Sequence, residues 1–234
     1  MTSEQKEPHY NNEIVRITDD NQNIIEGNLT LPTDAKGIVI FAHGSGSSRH
    51  SPRNKYVAQV LNDAGIATLL IDLLTSEEEK IDNITREHRF NIKLLAKRLL
   101  AATDWISQSA AFRNLKVGYF GASTGAAAAL VAAAERASLV YAIVSRGGRP
   151  DLAGSDILNR IEAPTLLIVG GNDKQVIELN ERALKQLTKI EKKKKLVIIP
   201  KATHLFEEPG TLEEVARHAS GWFRCFFLEE KSCG

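Results

Sequence analysis

Residues 115–136 constrain this chain more than any other stretch. Leu115, Val117, Tyr119 and Phe120 read as a short buried strand, and residues 126–135 as an alanine-rich helix. Only Gly121-Ala122-Ser123-Thr124-Gly125 separates the two, so the chain must turn sharply there. Small residues on both sides of Ser123 let strand and helix pack closely, while the serine is held in a strained turn that presents its hydroxyl outward. The strand, turn and helix in immediate succession give this G-x-S-x-G its meaning.

The rest of the chain supplies alternating strand and helix patterns around that corner. Residues 13–18 and 24–31 read as strands joined by a polar turn, an antiparallel hairpin at the edge of a sheet. Residues 37–42 are a continuous apolar strand of the kind buried on both faces, and they run into the loop His43-Gly44-Ser45-Gly46-Ser47-Ser48. A helix over 54–64 and a strand over 67–74 follow. The polar, acidic segment 75–88, with Glu77, Glu78 and Glu79, reads as a connecting loop, either solvated or lying over the site. Residues 90–107 carry Ile92, Leu95, Leu99, Ala102 and Ile106 on one helical stripe. Beyond the opening motif come strands over 139–145, 164–169 and 196–199, and helices over 156–161, 175–187 and 212–228. Strand and helix in repeated alternation imply a parallel sheet covered on both faces.

A chain of 234 residues, 43% of them hydrophobic, can bury a substantial core, and without a linker or repeat it reads as a single domain over 1–234 with a flexible N-terminal tail over 1–11 and no large cap domain. The 30 basic and 29 acidic side chains nearly cancel, which gives no global reason to expect nucleic acid or an anionic membrane as partner. Neither a leader-like apolar core nor a membrane-length apolar run is visible, so a cytoplasmic location is expected. In that compartment Cys225 and Cys233 are expected as free thiols.

In an open parallel sheet, functional groups gather at the carboxyl ends of the strands. Those ends carry the His43 to Ser48 loop, Ser123, Asp173 in Gly170-Gly171-Asn172-Asp173, and His204 in Ala202-Thr203-His204. The chain order Ser, Asp, His is the order of an α/β-hydrolase triad. On these motifs the chain resembles the α/β-hydrolase superfamily, and within it the dienelactone-hydrolase-like group, from the first hairpin to the last helix. The resemblance implies the α/β-hydrolase fold: a mostly parallel central sheet with an antiparallel N-terminal hairpin and helices on both faces. One departure is visible, because dienelactone hydrolases proper carry cysteine as nucleophile where this chain has Ser123.

The chemistry assigns expected roles. A serine hydroxyl needs a base, for which His204 is the candidate, and Asp173 would hold the imidazole in the right tautomer. Plainer readings are a small residue in a tight turn for Ser123, a helix N-cap for Asp173 and a surface histidine for His204. The resemblance implies the backbone N–H groups of Ser45 and Thr124 as an oxyanion hole. His43 reads as a loop-packing group. Arg49, Arg53, Arg146 and Arg149 crowd the expected mouth, with Arg146 and Arg149 as candidates for binding an anionic substrate group or for salt bridges to the acidic segment or Asp151. The expectation is a serine esterase acting on carboxylic esters or thioesters of small acyl groups, with no cofactor and no metal. Acyl transfer or peptide cleavage by the same residues, and a non-catalytic interaction module, are the alternatives; monomer and homodimer are both open.

Overall fold

In the computed structural model, which describes residues 10–228, the strands are β1 (Tyr10–Thr18), β2 (Ile24–Pro32), β3 (Gly37–Ala42), β4 (Ala67–Ile71), β5 (Lys116–Ala122), β6 (Val140–Arg146), β7 (Thr165–Gly170) and β8 (Lys194–Ile199). They form one eight-stranded sheet in the order β1-β2-β4-β3-β5-β6-β7-β8. β1 and β2 pair antiparallel, and so do β2 and β4; every other pairing is parallel. The helices are α1 (Pro52–Asp63), α2 (Ser76–Thr85), α3 (Ile92–Gln108), α4 (Thr124–Glu135), the single turn α5 (Ser155–Leu158), α6 (Lys174–Gln186) and α7 (Thr211–Leu228). This is the α/β-hydrolase fold expected from the sequence.

The side chains explain the layering. β3, β4 and β7 are buried at every position, as their continuous apolar runs demand, whereas β2 alternates and so belongs near an edge. Successive strand residues point to opposite faces. Ile38, Ile40, Tyr119 and Ile143 therefore pack under α3 and α4, while Val39, Phe41, Phe120, Ala142 and Val144 pack under α1 and α7. Burying each of the valine, isoleucine and phenylalanine side chains among them contributes roughly 1.5–3 kcal/mol. α4 is buried from Thr124 to Ala134, and its alanines let it lie close to the sheet.

Three expectations are corrected. β1 begins at Tyr10, so the last two residues of the tail expected over 1–11 pair with β2, and residues 1–9 lie outside the described residues. The segment 75–88 is not a loop: α2 occupies most of it. Its apolar residues Ile81 and Ile84 are exposed, so no hydrophobic stripe announced a helix. What starts it is a capping box, in which Thr75 Oγ1 accepts from the Glu78 N–H at 3.2 Å and the Glu78 carboxylate accepts from the Thr75 N–H at 2.8 Å. Glu78 also bonds the fully buried Arg98 of α3 at 2.6 Å, and Arg98 pairs with Asp19 of the β1–β2 turn. Finally, Cys225 is disulfide-bonded rather than free, while Cys233 lies outside the described residues.

Candidate active site

Ser123 stands between β5 and α4 with φ 51° and ψ −118°, a conformation that costs an L-residue on the order of 1–3 kcal/mol. The surroundings hold it there. Its N–H donates to the Arg146 carbonyl at 3.2 Å, and its own carbonyl accepts from the N–H groups of Ala126 and Arg149 at 3.1 Å each. The flanking glycines are steric necessities. A Cβ at Gly121 would lie 2.4 Å from Ala126 Cα, and one at Gly125 would lie 2.2 Å from the Ala42 carbonyl oxygen. The helix N-terminus can therefore sit against the end of β3 only if residue 125 lacks a side chain.

Asp173 and His204 come together from the ends of β7 and β8. Asp173 Oδ2 lies 2.6 Å from His204 Nδ1, which makes this nitrogen the proton-bearing one and leaves Nε2 free to act. Asp173 does occupy the N-cap position of α6, yet its side chain makes no capping hydrogen bond. The carboxylate is committed to the imidazole instead. Asn172 steadies the His204 loop through its N–H to the Ala202 carbonyl at 2.9 Å and its side-chain amide to the Lys201 carbonyl at 2.8 Å. Glu208 accepts from the Thr203 N–H at 3.0 Å, which holds its carboxyl below the usual range. Gly147, immediately after β6, lies against the His204 ring: a Cβ there would be 3.4 Å from Cε1. Ser123 Oγ makes no hydrogen bond among the described residues, to His204 or to any other group.

The loop after β3 supplies the opposite wall. A Cβ at Gly44 would be 3.2 Å from Ser123 Cβ, so loop and elbow touch. Ser45 Oγ and Thr124 Oγ1 are 3.0 Å apart and share a hydrogen bond, which ties the two segments side by side. The backbone N–H groups of Ser45 and Thr124 have no acceptor among the described residues. Two unsatisfied backbone donors on adjoining segments can in principle receive an anionic oxygen. His43 is a packing group, as expected: Nδ1–H donates to the Gly44 carbonyl at 2.9 Å and Nε2 accepts from the Leu73 N–H at 3.1 Å. Burial pushes its pKa down and keeps it neutral.

Sequence reasoning missed α2 as part of this wall. Ser45 Oγ also reaches the Arg89 carbonyl at 3.3 Å, and Arg89 is clasped by Asp82 at 2.7 Å. The cleft enclosed by His43, Ser45, Leu73, Asp82, Arg89 and Thr124 holds only about 20 Å³. Thr75-x-x-Glu78 was the signal that could have found the helix. Two larger cavities, of about 520 and 560 Å³, lie at the β1–β2 side of the sheet and include none of these residues.

The arginines divide. Arg49 pairs with Asp72 and with Glu26, the latter at 2.7 Å. Arg149 makes a bidentate pair with Asp151, at 2.9 and 2.7 Å, and this pair raises its pKa. Arg146 is buried with no carboxylate paired to it among the described residues, and burial together with the nearby Arg53 pushes its pKa down to about 10. No cluster able to hold a metal ion occurs among the described residues, and no helix there is long and apolar enough to cross a membrane.

Comparison with known proteins places this site in context. The family profile described as dienelactone hydrolase matches residues 25–228. A solved dienelactone hydrolase from Anabaena variabilis is 59% identical, with a TM-score of 0.89 over 93% of this chain and 98% of the other. An esterase from Pyrococcus furiosus shares the fold at 16% identity, with a TM-score of 0.72 over 93% of this chain and 92% of the other. A Mycobacterium tuberculosis relative, provisionally named a phosphoribosyl transferase, is 59% identical over 199 residues. That match spans 85% of this chain but only 43% of the relative's length.

Proposed function

Given that the chain belongs to the dienelactone hydrolase family, we propose that it is a serine hydrolase cleaving carboxylic esters or thioesters of small acyl groups through an acyl-enzyme. The observation that carries the reading is the Asp173–His204 pair at 2.6 Å together with the strained Ser123, whose N–H is held by the Arg146 carbonyl next to the Gly147 that lies against the His204 ring. In this reading His204 Nε2 takes the Ser123 proton as the hydroxyl attacks the ester carbonyl. Asp173 stabilises the imidazolium that results. The N–H groups of Ser45 and Thr124 receive the oxyanion, each accounting for ~3 kcal/mol of barrier. The alcohol or thiol leaves with the proton from His204, and water repeats the sequence to release the acid.

The transferase name attaches to a relative of which the matched segment is less than half, and the Ser123 arrangement itself is suited to acyl chemistry. Asp173→Asn tests the reading. Asparagine caps a helix as well as aspartate does, so a capping role would survive the change. An orienting role would not, and kcat on a short aryl ester should fall by ~10⁴, the loss this substitution causes in triad enzymes. Unchanged turnover in Asp173→Asn would contradict the assignment.

A further inference from the structure

The buried stripe of α6 is Val176, Asn180 and Ala183, and the amide in its middle is fully buried where helical spacing calls for an apolar residue. Packing does not account for it. A leucine of similar size would fill the space, whereas an amide gives up its hydration and must recover it through hydrogen bonds. Asn180 Oδ1 has no partner among the described residues. Its Nδ2 donates to the Val176 carbonyl at 2.8 Å, one turn back in the same helix, and to the Gly148 carbonyl at 3.0 Å. Both partners are acceptors, so the nitrogen must be the atom that faces them. The contact that reaches outside the helix is the one to Gly148.

Gly148 lies in the turn after β6, and that turn joins the parts of the candidate site. The Arg146 carbonyl accepts from the Ser123 N–H, and the Arg149 N–H donates to the Ser123 carbonyl at 3.1 Å. Between them, Gly147 lies against the His204 ring and donates its N–H to the Ile168 carbonyl of β7 at 2.7 Å. The Gly148 carbonyl and the Arg149 N–H belong to one peptide unit, which is planar. Asn180 therefore holds one side of that plane and Ser123 the other. Two successive glycines, the first at φ 52°, leave such a plane free to rotate unless something outside the turn fixes it. A side chain at Gly148 would run into Ser145 Oγ, so no bulkier residue could stiffen the turn from within. We propose that Asn180 is a positioning residue for the nucleophile: by fixing the Gly148–Arg149 peptide it holds Ser123 in its strained turn, and so sets where the hydroxyl stands relative to His204. The inference rests on the serine-hydrolase reading for the role of Ser123, and on the shared peptide plane for the role of Asn180.

Asn180→Leu in the full chain keeps the volume and removes the donor. It should lower kcat on a short neutral aryl ester by ~10²-fold, the loss that a misplacement of about 1 Å brings, with KM little changed because a fully buried side chain meets no substrate. Amide hydrogen exchange followed by NMR should show the Arg149 and Ser123 N–H groups losing protection in the same variant. Asn62→Leu is the control. It removes a buried side-chain hydrogen bond near the amino end of β4, accepted from the Thr68 hydroxyl at 3.0 Å, and should leave kcat and those two amides unchanged. A wild-type kcat in folded Asn180→Leu, a loss that Asn62→Leu reproduces, or unchanged protection of the Arg149 amide overturns the proposal. Should Asn180→Leu fail to fold, Asn180→Ser decides by the same readouts, since a serine hydroxyl can still bond the Val176 carbonyl but falls short of Gly148. If the wild-type protein turns over no ester and takes up no fluorophosphonate, the hydrolase reading fails and amide exchange alone decides Asn180. Lost protection at Arg149 and Ser123 then upholds its hold on the elbow, and unchanged protection overturns it.

Discussion

Replacing Gly125 by alanine puts the geometry of the site to a direct test. On an open helix the change would stabilise by ~1 kcal/mol, because alanine is the better helix former. Here the added Cβ would lie 2.2 Å from the Ala42 carbonyl oxygen and 2.4 Å from that of His43, about 1.2 Å inside ordinary contact for the closer. Both atoms are backbone at the end of a fully buried strand, so neither can turn aside. The N-terminus of α4 must retreat instead, carrying the Thr124 N–H away from that of Ser45. Overpacking costs ~1–3 kcal/mol, which outweighs the propensity gain. A misplacement of about 1 Å costs roughly 10²-fold in rate, comparable to removing one oxyanion donor. Gly125→Ala should therefore lower the urea midpoint and reduce kcat/KM on a short neutral aryl ester ~10²-fold. Wild-type kcat/KM in a folded Gly125→Ala protein would refute the close-approach argument.

Other perturbations sample different parts of the structure. Gly221 in α7 meets nothing within 4 Å, so Gly221→Ala should raise stability by ~0.4–1 kcal/mol in urea unfolding; a loss would show an unrecognised constraint. Arg98→Ala should cost ~3–5 kcal/mol, because it strands Asp19 and Glu78 against a buried site. Far-ultraviolet circular dichroism against urea measures that loss. His43 is neutral in the fold while an unfolded imidazole protonates near pH 6.5. Unfolding therefore takes up a proton below that pH, and stability should decline as pH falls, by up to about 1.4 kcal/mol per pH unit until the depressed folded pKa is passed. Urea midpoints across this range should show a smaller slope in His43→Gln; His218, whose pKa burial lowers, and at lower pH the carboxylates Asp19 and Asp82, whose pKa values are also lowered, contribute in the same direction.

Much of this was legible in the chain because short-range chemistry fixed it. The continuous apolar runs of β3 and β7 can only be buried strands, and the small residues around Ser123 admit only a tight turn. The site residues at strand ends followed from that topology. α2 escaped because its helix is anchored by polar contacts: Thr75, Glu78 and Asp82 hold it while Ile84 stays exposed. Hydrophobic periodicity cannot register such an element. The division among the arginines was equally invisible, since Arg146, Arg149 and Arg53 look alike in sequence. Only the fold decides that Asp151 takes Arg149 and that no carboxylate among the described residues takes Arg146.

The most direct test of the proposed chemistry is covalent labelling of Ser123 by a fluorophosphonate, read by intact mass alongside turnover of a short-chain aryl ester. The wild-type protein should gain one adduct and lose its activity in step with labelling. Ser123→Ala should neither label nor turn over the ester. An adduct on a different residue, or esterase activity retained in Ser123→Ala, would contradict the account.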